Sequence, residues 1–212
     1  MDGTTDDGTT DDGTTDDGTT DDGTTDDGTT DDGTTDGRAA GRGVRRVEAF
    51  GIHGLGEFHP GVDLAAALVA GALGQGTPLR GGDILVVSSK VVSKVEGRLR
   101  PAPARDAAVV EETARIVAER RSRFGTTRIV ESRSGPVLAA AGVDASNVNP
   151  GNVLPLPEVP DASARRLRDR LRELTGVPVA VVVSDTAGRP WRQGQVDFAL
   201  GAAGLVLTED LR

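Results

Sequence analysis

The stretch VAVVVSDTAGRPWRQGQ, residues 179–195, decides how the fold is read. Its opening run of valine and alanine predicts a strand that is buried on both faces. Asp185 and Thr186 follow where this strand ends, at the edge where open sheets bind ligands. A carboxylate beside a hydroxyl is typical of Mg²⁺ or Mn²⁺ sites that also hold phosphate, although an ordinary turn would place the same residues there. Arg189 and Arg192 are candidate contacts to a phosphate or a substrate carboxylate.

Apolar periodicity elsewhere in the chain predicts that helices and strands alternate around a central sheet, in an α+β (mixed α/β) fold. The residues that follow position 194 predict one further element with a strand partner. The other predicted elements are a strand, loop and short return over 44–58, a helix over 64–73 capped by Asp63, a strand over 84–87, a helix over 106–122, a strand over 127–131, and a helix over 161–174 ended by Gly176.

The N-terminal segment differs from the rest of the chain in composition. Residues 2–36 are the pentapeptide DGTTD repeated seven times, with 14 aspartates and no large apolar residue. Such a segment cannot bury enough surface to offset its ordering entropy, so we predict a disordered tail over 1–37 and one folded domain over 38–212. A calcium-binding aspartate array is the alternative for the tail. Of the 33 acidic side chains, 19 lie outside the repeat, against 24 basic ones.

Composition also narrows the class of protein. The chain has no cysteine, which excludes disulfides and thiolate metal sites and fits a cytoplasmic location. No apolar run reaches the ~20 residues that cross a bilayer, so no membrane contact is expected. Four phenylalanines and one tryptophan provide no stacking platform for bases. The small number of aromatic residues opposes one functional alternative, a basic RNA-binding module, and predicts no nucleic-acid partner.

Lysine is confined to one short segment. Of the 24 basic residues 22 are arginine, and the only lysines, Lys90 and Lys94, lie four residues apart in VVSSKVVSKVEGR. Ser88 and Ser89 end the predicted strand there, and hydroxyls, backbone N–H groups and a compact ammonium together favour an anion pocket. The alternative is two solvated lysines on an exposed face. The GxxxxGK[ST] pattern is absent, which excludes a Walker-type phosphate loop.

A third polar group of residues lies in AAAGVDASNV, residues 139–148. Asp144 is a candidate ligand of a hard cation and Asn147 a candidate polar contact to a bound molecule, whereas both could also simply form an Asx turn. Taken with the segments around Lys90 and Asp185, this loop predicts metal-assisted phosphoryl chemistry on an acidic substrate.

The ordered motifs LGEF, SSKVVSKVEGR, GVDASNV, SDTAGRPWRQGQ and GAAGL resemble the coenzyme F-420:L-glutamate ligase family, especially the N-terminal domain of its actinobacterial two-domain form. The resemblance extends from about Val44 to Leu207. It implies a γ-glutamyl ligase-type α+β fold and a homodimer. It also implies a reaction that uses GTP and a divalent metal, Mg²⁺ or Mn²⁺, to join L-glutamate by a γ-linked amide to the deazaflavin coenzyme precursor through an acyl phosphate. K⁺ is a further candidate cofactor.

The same resemblance implies roles for individual residues but no covalent nucleophile, and it leaves the catalytic residue unassigned. Both histidines, His53 and His59, lie outside the motifs. The implied GTP contacts are Leu55, Gly56, Glu57, Phe58, Ser89, Lys94 and Asn147, the implied metal ligands are Asp144, Asp185 and Thr186, and the candidate phosphate or substrate contacts are Lys90, Arg189 and Arg192.

Family members continue beyond the position of Arg212, so we expect a ligase domain that is incomplete at its C-terminus but keeps its site residues. The alternative is a catalytically incomplete fragment that binds a nucleotide or the coenzyme.

Overall fold

The computed structural model describes residues 47–123, 125–189, 192–208 and 210; the predicted disordered tail over 1–37 lies outside them. The compact unit that carries the secondary structure runs from Ala49 to Arg212. Its helices are α1 (Leu64–Gly74), α2 (Ser89–Val95), α3 (Arg105–Glu112) and α4 (Pro160–Thr175), with single 3₁₀ turns at Ala102–Ala104 and Ala140–Gly142. Its strands are β1 (Ile84–Ser88), β2 (Arg100–Pro101), β3 (Thr113–Ser122), β4 (Gly125–Ser132), β5 (Val137–Ala139), β6 (Asn152–Val153), β7 (Ala180–Arg189) and β8 (Arg192–Ala203).

The predicted α+β class is confirmed, and the strand predicted from Val179 is β7, at the centre of the main sheet. The prediction that this strand ends before Asp185 is wrong, because β7 continues to Arg189 through its pairing with β8. This sheet has the order β1-β7-β8, in which β1 and β7 are parallel and β8 returns antiparallel to β7. Two smaller antiparallel sheets accompany it, one formed by β2 and β6 and one by β3, β4 and β5. The element predicted after residue 194 is therefore β8, and its strand partner is β7.

The core lies between the main sheet and the helices α1, α2 and α4. Val181 and Val183 on β7 are fully buried, and Leu171 on α4 packs in the same cluster. Both long helices were predicted closely. Asp63 caps α1 by accepting a hydrogen bond from Ala66 N at 3.0 Å, and Gly176 ends α4 in the left-handed region with φ 72°. Burial of β7 on both faces is only partly borne out, because Val182 is half-buried.

The helix predicted over 106–122 is wrong in its second half. The helix ends at Glu112, where Thr113 Oγ1 donates to Val109 O, and the chain continues as β3, which pairs with β4. Charges that were spaced for a helix face instead form cross-strand ion pairs, from Arg115 to Glu131 and from Arg128 to Glu119, each at 2.8 Å. Pairing with β4 thus overrides an amphipathic helical pattern.

The strand and return predicted over 44–58 are also wrong for the described residues 47–58, which form no regular secondary structure; 44–46 lie outside the description. Gln75 satisfies the backbone there in place of a strand partner, because it accepts from His53 N at 2.9 Å and donates to Gly51 O at 3.0 Å. Ile52 and Phe58 pack against the main core cluster, which fixes this segment at the edge of the site. Across the described residues, no helix is long and apolar enough to cross a membrane.

Candidate functional site

Parallel pairing of β1 with β7 brings two of the predicted site segments together. Their last paired residues are Ser88 and Ser184, so Ser89 and Asp185 both emerge at the same edge of the sheet. Ser89 is only 1% exposed, and its side chain hydrogen-bonds to Asp185. The hydroxyl and the carboxylate are thus placed by strand register rather than by flexible loops.

The third segment is held by a short backbone bridge to Leu154, the residue that follows β6. Asp144 N donates to Leu154 O at 3.1 Å, and Leu154 N donates to Asp144 O at 2.7 Å. Gly142 precedes the bridge with φ 74°, and a Cβ there would lie 2.6 Å from Leu156 Cδ1. A glycine is therefore required both by the backbone conformation and by the close packing.

Asp144 forms the Asx turn that was the alternative prediction, and it also forms an ion pair. Its Oδ1 accepts from Ala145 N at 2.7 Å and Ser146 N at 3.0 Å, while Lys90 Nζ lies 3.0 Å from Oδ2. Burial alone would raise its pKa, but the hydrogen bonds from Ser146 and the Lys90 ammonium outweigh burial and lower the pKa of Asp144 to about 2. The carboxylate is therefore ionised throughout the physiological range.

Asp185 has the opposite electrostatic environment. Burial raises the pKa of the Asp185 carboxyl, and the nearby Asp144 charge raises it further. The Thr186 backbone N–H, the Lys90 ammonium and the Ser89 hydroxyl act against this rise. Lys90 is thus the cation shared by the two carboxylates. Because two carboxylates face one ammonium group, these three side chains carry a net negative charge when all are ionised.

Two cavities meet at Lys90. One, of about 490 Å³, is lined by Asp144, Asp185 and Thr186, the three predicted metal ligands. The other, of about 770 Å³, is lined by Lys94 and by most of the predicted nucleotide contacts. Both cavity volumes fall in the range typical of ligand sites, roughly 300–1,000 Å³. Lys90 lines both cavities.

The larger cavity is lined by Gly56, Glu57, Phe58 and Asn147, four of the predicted nucleotide contacts. Lys94 Nζ lies 3.1 Å from Glu57 Oε2, and because the Glu57 side chain is 89% exposed this ion pair is weak and readily exchanged. The other two predicted nucleotide contacts do not line this cavity.

Leu55 packs against the main core cluster, and Ser89 is buried and hydrogen-bonds to Asp185. Leu55 thus contributes to the core and Ser89 to the position of the Asp185 side chain. The side chains of Arg189 and Arg192 lie outside the described part of the chain.

Sequence reasoning missed Asp197 on β8. The register pairs Thr186 with Asp197, and Thr186 Oγ1 donates to Asp197 Oδ1 at 2.5 Å. The available signal was an aspartate inside an apolar strand, a position where aspartate is disfavoured.

The donor set fits a hard divalent cation. Asp144, Asp185 and Thr186 offer only oxygen atoms, and Mg²⁺ is typically held by one or two carboxylates together with substrate phosphates and waters. Among the residues that the structure describes, no group of three or more histidine, cysteine, aspartate or glutamate side chains is placed to hold a metal alone. A metal here would therefore need ligands from the substrate.

The lowered pKa of Asp144 makes a prediction about acid stability. A depressed pKa stabilises the fold above the ordinary value of 3.8, and this contribution is lost as pH falls through about 2. Ser146→Ala removes the hydroxyl that donates to Asp144 Oδ2 at 2.5 Å, so we expect it to destabilise the fold at neutral pH and to match wild type below the Asp144 pKa. Urea unfolding across this pH range measures the difference. In an Asp144→Asn background the same substitution should have no pH-dependent effect; a persistent one would contradict the assignment.

Comparison with known proteins places this α+β chain in a family of ligases. Residues 54–212 match the family model described as F420-0:Gamma-glutamyl ligase, and the chain belongs to this family. The resemblance expected from the motifs is thereby confirmed.

Individual relatives agree with the family match. The chain is 45% identical over 172 residues to the coenzyme F420:L-glutamate ligase of Methanopyrus kandleri, covering 74% of this chain and 66% of that protein. The proteins of the same name from Methanothermobacter thermautotrophicus and Halorubrum lacusprofundi are 37% and 40% identical, with 75% and 78% of this chain and 69% and 70% of theirs covered. The chain thus spans about two thirds of the length of these relatives.

Proposed function

We propose that this chain is a GTP- and divalent-metal-dependent ligase that adds L-glutamate through a γ-linked amide to the deazaflavin precursor of coenzyme F420. The relatives' names support glutamate and this coenzyme as substrates. The observation that carries the proposal is the position of Lys90, which lines both cavities and forms an ion pair with Asp144 at 3.0 Å. In this proposal the working form is a homodimer.

The larger cavity is the proposed GTP site. Its volume of about 770 Å³ suits a nucleotide, and the ammonium groups of Lys90 and Lys94 supply positive charge for phosphates. Glu57 lies opposite Lys94, and a phosphate that replaces it would exchange a weak exposed ion pair for a doubly charged partner.

The smaller cavity is the proposed metal and acceptor site. Asp144, Asp185 and Thr186 would hold Mg²⁺ or Mn²⁺ there. When bound, the ion supplies charge stabilisation to phosphate oxygens. Ser89 orients Asp185, and the backbone N–H groups of the Asx turn hold Asp144, so the carboxylates are fixed before any ligand arrives.

The proposed reaction has two steps, phosphoryl transfer to the precursor carboxylate and then displacement of phosphate by the glutamate amine. An oxygen of the precursor carboxylate attacks the γ-phosphorus of GTP, the bond from that phosphorus to the bridging oxygen breaks, and GDP leaves. The glutamate amine then attacks the acyl carbon, the acyl–oxygen bond breaks, and inorganic phosphate leaves as the amine loses a proton. Lys90 and Lys94 would offset the charge that develops during phosphoryl transfer.

A reconstituted assay tests the proposal. The chain is incubated in potassium buffer with GTP, Mn²⁺, L-glutamate and the precursor without glutamate, and mass spectrometry follows the appearance of one added glutamyl residue together with GDP. Product that requires all four components supports the ligase. Nucleotide binding without product would instead support a module that binds the nucleotide without catalysing ligation. Absence of both would overturn the proposal.

Lys94 gives a direct prediction for nucleotide binding. Lys94→Met removes a point charge from a water-accessible cavity, so we expect about 1 kcal/mol of lost binding free energy, or roughly a fivefold weaker Kd for GTP. Isothermal titration calorimetry with GTP measures this change. Arg172→Met, a charge-matched substitution at an exposed position of α4, is the control and should bind GTP as wild type does. Equal affinity in the Lys94 variant would remove this residue from the site.

A further inference from the structure

A carboxylate on β8 holds one of the proposed metal ligands from outside the cavity. Asp197 and Thr186 are directly opposite each other in the antiparallel pair β7–β8. Thr186 Oγ1 donates a hydrogen bond to Asp197 Oδ1, with the two oxygens 2.5 Å apart. Both residues are exposed, so the packing of neighbouring side chains does not by itself fix the threonine hydroxyl.

This hydrogen bond determines which part of the hydroxyl faces the cavity. A threonine hydroxyl has one hydrogen to donate and two lone pairs with which to accept or ligate. Because the hydrogen is directed to Asp197, the lone pairs remain available to a cation in the cavity that Thr186 lines. The acceptor also limits Thr186 to one side-chain rotamer out of the staggered set.

Asp197 itself is placed as a supporting group and not as a ligand. Thr186, Asp144 and Asp185 line the 490 Å³ cavity, and Asp197 is not among the residues that line it. In the described part of the chain, no third acidic or imidazole side chain joins Asp144 and Asp185 to form a metal-holding group. Any effect of Asp197 on the cavity therefore passes through Thr186.

We infer that Asp197 is a positioning residue, which orients the Thr186 hydroxyl so that its oxygen can ligate the divalent cation. The inference rests on the proposed function, because it needs a cation in this cavity. Aspartate is disfavoured within strands. At this position it nevertheless provides a fixed hydrogen-bond acceptor opposite Thr186. Groups that hydrogen-bond to metal ligands commonly change metal affinity about 10- to 100-fold when they are removed.

Binding of Mn²⁺ to the full chain tests the inference without any need for turnover. Free Mn²⁺ is followed by electron paramagnetic resonance, first with the metal alone and then with GTP present. We expect Asp197→Ala to weaken Mn²⁺ binding about tenfold, the lower end of the range for such supporting groups. Thr186→Val should weaken it at least as much. The double variant should be no weaker than Thr186→Val, because Asp197 acts only through this hydroxyl.

Asp197→Asn separates orientation from charge. Its amide oxygen can still accept from Thr186, so we expect Mn²⁺ affinity within about threefold of wild type, well short of the loss in Asp197→Ala. Glu173→Gln, an exposed carboxylate on α4, is the charge-matched control and should leave the affinity unchanged. Circular dichroism confirms that each variant is folded.

The outcomes separate this inference from the proposed function. Wild-type Mn²⁺ binding with equal affinity in Asp197→Ala overturns the inference alone. Additive losses in the double variant, or an Asn variant as weak as the Ala variant, would show that Asp197 acts through its charge and also overturn it. If wild type binds no Mn²⁺ with or without GTP, the metal site of the proposed function fails as well.

Discussion

Asp185→Asn is expected to remove most of the Mn²⁺-dependent part of GTP binding while leaving the fold intact. The amide is nearly the size of the carboxylate, so β7 keeps its packing, but the cavity loses one of the two carboxylates that line it. Losing a charged partner of this kind costs on the order of 1–3 kcal/mol, which corresponds to roughly a 5- to 150-fold weaker metal-dependent Kd. Calorimetric titration of GTP with and without Mn²⁺ measures this difference. Equal metal-dependent affinity in the two proteins would remove Asp185 from the proposed metal site.

The same substitution should raise stability when no metal is bound. Burial raises the folded-state pKa of Asp185, so its contribution to stability is present at low pH and is lost as pH rises through that pKa. At neutral pH the ionised carboxylate is therefore a destabilising group, and the neutral asparagine should raise Tm. The gain should shrink in acid, where wild-type Asp185 is protonated. Thermal unfolding in the absence of metal at neutral and acidic pH measures this; a lower Tm for the variant at neutral pH would contradict the assigned environment.

The opposite effects expected on affinity and stability would explain an aspartate at this half-buried position of β7. A group that only formed a turn would stabilise the apo fold, and its replacement would leave metal binding unchanged. Binding sites commonly contain strain or unfavourable charge, which lowers stability but is needed for function. In this chain the loss of stability is moderated by Ser89 and Lys90, which both act to lower the pKa of Asp185.

The fold brings together most of the site residues that the sequence singled out, although some of the surrounding elements were predicted wrongly. Ser89 directly follows β1, and Asp185 lies in β7 just beyond the last residue that pairs with β1, so parallel pairing carries both residues to one edge of the sheet. Lys90 and Lys94 were singled out for a compositional reason, since lysine occurs at just these two positions of the chain. This signal is readable without knowing the topology.

The features that sequence reasoning missed depend on pairing between distant segments. The switch from α3 to β3 at Thr113 is set by β4, which lies later in the chain and overrides a helical charge pattern. Asp197 meets Thr186 only once the register of β7 and β8 is fixed. Leu55 belongs to a motif shared with the family, yet its packing against the core became visible only in the fold.

Gly201→Ala is expected to be the most destabilising small substitution in the main sheet. A Cβ on this buried β8 residue would lie 2.3 Å from the carbonyl carbon of Pro160 and 2.4 Å from Asp161 N, and neither backbone atom can turn aside. Forcing extra volume into such a contact typically costs 1–3 kcal/mol and occasionally more, and a backbone overlap belongs at the upper end, about 3 kcal/mol. For a domain of this size that loss lowers Tm by roughly 6–12 °C.

The clash has a functional consequence because it separates two elements that support the site. The start of α4 is held to β8 by Asp161 Oδ1, which accepts from Ala202 N at 2.8 Å, and β8 carries Asp197 opposite Thr186. We therefore expect hydrogen exchange of Gly201→Ala to rise first along β8 and the first turn of α4. Gly188→Ala on β7 is the matched control, because a Cβ there meets no atom within 4 Å, and its stability should match that of wild type. If both alanine variants have the same Tm as wild type, the close approach of α4 to β8 is not what holds the strand in register.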